Sequence, residues 1–87
     1  MGFVSEVKVS VLSEWDEVAV AQLARLLPQV SASAPALTSV RVGEVVLSPA
    51  THVVVARLDG AIVAMALLLV GTTFSGDFGF VEEMAVG

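Results

Sequence analysis

Val53-Val54-Val55-Ala56-Arg57-Leu58-Asp59-Gly60-Ala61-Ile62-Val63-Ala64-Met65-Ala66-Leu67-Leu68-Leu69-Val70 is the stretch that decides the fold. A β-branched run, a two-residue turn and a second apolar run spell a hairpin. Asp59-Gly60 suits the turn, because glycine takes a positive φ freely and aspartate tolerates one. The second run, Ala61 to Val70, is apolar at every position. As a helix it would reach only ~15 Å, about half of a hydrocarbon core, so it reads as a strand and not as a membrane span. A strand apolar on both faces needs cover on both.

Upstream, Val7, Val9 and Val11 alternate with Lys8, Ser10 and Leu12. Period two and β-branching predict a strand over about 6–12. Ser13 then reads as a helix N-cap, with Asp16 three residues on. Trp15, Val18, Ala19, Leu23, Leu26 and Leu27 follow at helical spacing, interrupted by Gln22, and form one apolar stripe. Trp15 reads as an anchor of that stripe or as a ligand-stacking ring. Pro28 stops the helix. Residues 38–48 pull two ways. Their valines favour a strand and Gly43 weakens a helix, yet Thr38 or Ser39 can cap one and Val42, Val45 and Val46 share a helical face. A short helix is expected, ended by Pro49. Downstream, Gly71-Thr72-Thr73 and Ser75-Gly76-Asp77 mark a longer connection around Phe74. A last strand is expected over about 78–86. The order is β-α-α-β-β-β, an α+β domain spanning residues 1–87, with a four-stranded antiparallel sheet in order 1-2-3-4 and two helices on one face.

Composition narrows the function. Eighty-seven residues with 56% hydrophobic content make one small, greasy core, the opposite of a disordered chain. Nine acidic residues against four basic ones give a net charge of −5. No basic patch exists to displace counterions from phosphates, so a nucleic-acid partner is not expected. The chain has no cysteine, which removes disulfides, thiolate metal sites and cysteine nucleophiles. Met1 to Glu6 lacks a cationic leader segment, and Glu6 stands where a myristoylation motif wants Ser or Thr. No membrane role is expected, and the cytoplasm is the expected location.

Catalytic constellations are sparse. His52 is the sole histidine. It reads as a polar loop residue or a lone general base, and no histidine-based metal site can form around it. No nucleophile elbow or Walker loop is present. Gly76-Asp77-Phe78-Gly79 lies between strands and does not open a helix, so it makes no phosphate cradle. Glu82-Glu83 is the acidic pair of the second half. Strand neighbours point to opposite faces, so the two cannot share a proton. One of them, facing inward, could serve as a general base. Otherwise the pair is an edge charge that discourages aggregation.

The order and spacing resemble the amino-terminal half of the GNAT N-acetyltransferases. The matching text is Val7-Lys8-Val9-Ser10-Val11 before the Trp15 helix, then Ala50-Thr51-His52-Val53-Val54-Val55-Ala56-Arg57-Leu58-Asp59-Gly60-Ala61-Ile62-Val63-Ala64, then Gly79-Phe80-Val81-Glu82-Glu83-Met84-Ala85-Val86. The resemblance implies that the backbone of Met84, Ala85 and Val86 runs beside an acetyl-pantetheine arm, and that Glu82 or Glu83 stands where many members keep a general base. It also implies that the Gln/Arg-x-x-Gly-x-Gly/Ala loop, which holds the acetyl-CoA pyrophosphate, falls after Gly87. The isolated chain is therefore expected to bind no cofactor and to transfer no acetyl group alone. It would act as an oligomeric structural or ligand-binding module. The alternatives are an acetyl-CoA-dependent N-acetyltransferase assembled with a complementary chain, and an unrelated α+β binding domain. A homo-oligomer is expected through the 61–70 face or the 79–86 edge. Met65, Leu67 and Leu69 would meet the second copy while Ala66, Leu68 and Val70 face the helices, or the reverse.

Overall fold

The computed structural model describes residues 6–87. The leader and myristoylation readings at Met1 to Ser5 lie outside them. The elements are β1 (Val7–Val11), α1 (Glu17–Leu26), a 3-10 turn (Leu27–Gln29), α2 (Ser39–Val46), β2 (Thr51–Leu58), β3 (Ala61–Thr73) and β4 (Gly76–Val86). The four strands form one open antiparallel sheet in order β1-β2-β3-β4. Asp59 and Gly60 both have positive φ, at 52° and 86°, the backbone that a two-residue hairpin demands.

The first helix begins later than its sequence suggests. Asp16, not Ser13, is the cap: its Oδ1 accepts the Ala19 N–H at 2.8 Å. Trp15 therefore precedes the helix. Its Nε1 donates to Ser39 Oγ at 3.1 Å, and its ring lies against Gly43. A Cβ on Gly43 would come within 2.9 Å of the ring, so this glycine is the close approach that joins α2 to the loop before α1. Thr38 caps α2 by accepting the Arg41 N–H at 3.1 Å. Gln22, the polar break in the α1 stripe, accepts the Ile62 N–H at 3.0 Å and so docks α1 to the start of β3. Val18, assigned to the stripe by spacing, is exposed.

Register decides which strand residues share a face, because directly opposed residues point the same way. One row runs Ser10, Val55, Met65, Ala85. Its last three members are buried with Leu23, Leu26 and Val42 of the helices. Both helices thus cover this face. Two other rows, Val9-Ala56-Ala64-Val86 and Val11-Val54-Ala66-Met84, lie on the opposite face, which no other element among the described residues covers. The second of the two orientations allowed for β3 is the one found: Met65 and Leu67 pack on the helical side, and Ala66, Leu68 and Val70 face away.

Two bulges interrupt the pairing. Val63 is the extra residue against Ala56-Arg57, and Glu82 the extra residue against Leu67-Leu68. Each resets the alternation, which is why Ile62 and Met65, three apart, are both buried. Beyond Val70 the β3–β4 pair runs on without β2 as a two-stranded arm. The expected long loop around Phe74 is instead a tight Phe74-Ser75 turn between the paired Thr73 and Gly76. Phe78 stacks on Phe80 with centroids 6.0 Å apart and covers Gly71, where a Cβ would collide with its ring.

Candidate functional site

The residues that the resemblance implies, Glu82 to Val86, all fall on β4, an edge strand, whereas His52 lies on β2 and Trp15 before α1. The second bulge falls at the Glu82-Glu83 pair, so the register assigns a face to Glu83 and none to Glu82. Glu83 pairs with Leu67 on the helix-covered side and is half-buried. Glu82 is the unpaired bulge residue and is exposed. Among the described residues neither carboxylate has a hydrogen-bonded or cationic side-chain partner; the one ion pair is Arg41–Glu44, at 3.7 Å. Met84 and Val86 project onto the uncovered face, while Ala85 is buried under the helices.

Gln29, which the sequence did not flag, completes this edge. From the 3-10 turn its Nε2 donates to the Val86 carbonyl at 2.8 Å, and its Oε1 accepts the Val86 N–H at 3.2 Å. The side-chain amide thus imitates the peptide of a neighbouring strand. Only its place after Pro28 hinted at a bend there. The next residue, Gly87, donates its N–H to the Val63 carbonyl at 2.7 Å, so the β4 terminus closes on the first bulge.

The larger surface depressions lie elsewhere. One sits beside the arm between Ala50, Val70 and Phe78, and others flank Arg57. A shallow apolar hollow of about 160 Å³ lies on the uncovered face over Ala56, Ala64 and Ala66, between Val9 and Met84. His52 is exposed and pairs with Leu68 on that same face. Among the described residues no three acidic or histidine side chains gather to hold a metal, and no helix is long and apolar enough to cross a membrane.

Both described α-helix N-termini are capped by side chains. The α1 end is occupied by the Asp16 carboxylate, with Glu17 in its first turn, and the α2 end by the Thr38 hydroxyl. A negative cap is favourable to the helix and repels phosphate. No protein-family model, curated protein or solved structure matches the chain.

Proposed function

We propose that this chain is a GNAT-like half-domain that works as an assembling, non-catalytic module and does not transfer acetyl groups by itself. The observation that carries the reading is the uncovered sheet face. Val7, Val9, Val11, Met84 and Val86 are each more than half exposed there. A contiguous apolar surface of that kind marks an interaction site. The Asp16 carboxylate and Glu17 at the α1 N-terminus support the second half of the reading, because they disfavour an anion there. Calorimetry with acetyl-CoA tests it: no saturable binding with Kd below about 10 μM, roughly −7 kcal/mol, is expected. Binding tighter than that would defeat the non-catalytic reading.

A second reading, an N-acetyltransferase completed by another chain, draws on one feature. The Val86 N–H and C=O both point out from the β4 edge toward Gln29, and an extended amide-bearing ligand could take the place of that carboxamide. In such an assembly Glu82 or Glu83 would move the proton. A Gln substitution at one of them should then lower activity by about 10²-fold. Unchanged activity in both single variants and the double would remove these residues from the mechanism.

A further inference from the structure

We infer that the uncovered sheet face is a two-fold interface, and that its occupant is a second copy of this chain packed face to face. The inference rests on the reading of the chain as an assembling module and adds the surface, the partner and the geometry. Three observations choose the face over the edge. The two central rows of the face, from Val9 and Val11 across to Val86 and Met84, contain no polar side chain. A partner bearing the same net charge of −5 can approach such a surface without opposing charges. The β4 edge, by contrast, is interrupted by the Glu82 bulge and plugged at Val86 by Gln29. Both devices discourage strand addition.

Size and shape agree with this occupant. Strands ~4.8 Å apart, five residues long at β1 and about eight in the other three outside the arm, at ~3.3 Å per residue, present roughly 450 Å² in projection. Two such faces, corrugated by their side chains, bury on the order of 1,200–1,500 Å² together, within the range of a specific, stable complex. The face is also self-complementary along β3. Leu68 stands up beside Gly79 and Val70, while Ala64 floors the hollow four residues away. A two-fold axis crossing the strands at Ala66 sets β3 antiparallel over its copy and seats each Leu68 over the partner's Ala64. That is the reciprocal contact an isologous interface requires.

Sedimentation equilibrium of the 87-residue chain at low micromolar concentration, with circular dichroism as the folding control, tests the proposal. The wild type should be a closed dimer. Ala66→Glu sets two like charges together at the axis and should weaken association by about 100-fold or more with the spectrum unchanged. Gln29→Ala should leave the dimer intact. Should Ala66→Glu fail to fold, a swap decides. Ala64→Leu alone should weaken the dimer by about tenfold or more through overpacking, and Ala64→Leu with Leu68→Ala should recover it. A dimer that survives Ala66→Glu, dissociates with Gln29→Ala, or is not recovered by the swap overturns the face-to-face geometry and leaves the assembling module standing. A folded wild-type monomer overturns both.

Discussion

Val55 and Val9 are the same residue on nearby strands of one sheet, yet Val55 is fully buried and Val9 is 69% exposed. They lie on opposite faces. The covered face and the open face are both built from Val, Ala, Leu and Met, so hydrophobic content does not distinguish them. What distinguishes them is that α1 and α2 follow β1 and pack on one side. Burial there is a consequence of chain connection, and the side left over keeps the same chemistry without the cover. The practical lesson is that a substitution on one face should be read out in folding, and a substitution on the other in association.

The largest expected effect is on the covered face. Leu23→Ala removes a buried side chain of α1 and should cost about 3 kcal/mol in urea unfolding, the usual scale for an aliphatic core truncation. A loss below about 1 kcal/mol would mean that the helices are not the main cover. Gly43→Ala comes next and has an instructive sign. Helix propensity alone favours alanine by ~1 kcal/mol, but the Trp15 ring is in the way. Net destabilisation of about 1–2 kcal/mol is expected from overpacking, and a stabilised variant would show that Trp15 does not hold α2 down. Asp16→Ala should cost about 1 kcal/mol through the lost cap, read as a lower melting temperature, whereas Ser13→Ala should be near neutral. The smallest effect belongs to the open face. Val9→Thr should change the folding stability of the dissociated chain by less than about 0.5 kcal/mol, and a larger change would mean that this face takes part in the fold of the single chain.

Much of this architecture was legible in the residues. The Asp59-Gly60 hairpin and the alternation of β1 each follow from local chemistry that tertiary packing does not override, and of the two candidate caps for α2, Thr38 and Ser39, the first is the one used. The side of β3 that faces the helices was not legible, because Ala61 to Val70 is apolar throughout and period two has nothing to select. The bulges at Val63 and Glu82 were equally hidden. A bulge is one residue more than the opposite strand has, and only the pairing reveals it. For the same reason the side of Glu82 does not follow from alternation alone, because it is the extra residue of the second bulge. Ser13 and Asp16 both suit a cap, and Trp15 decided between them by packing against Gly43 and bonding Ser39. Gln22 and Gln29 spend their amides on strand backbone far along the chain, a use that no local pattern announces.

The Gln29 carboxamide also alters how the sheet exchanges protons with solvent. An outward-facing amide on an unpaired edge normally trades its hydrogen for deuterium quickly, since no partner must open first. The Val86 amide is instead closed by a side chain carried on the turn after α1. Its exchange is therefore gated by undocking of that turn and not by fraying of β4. Slow exchange at Val86 would register the helical layer seated on the sheet, and its acceleration would give an early sign of that layer lifting while the strands remain paired.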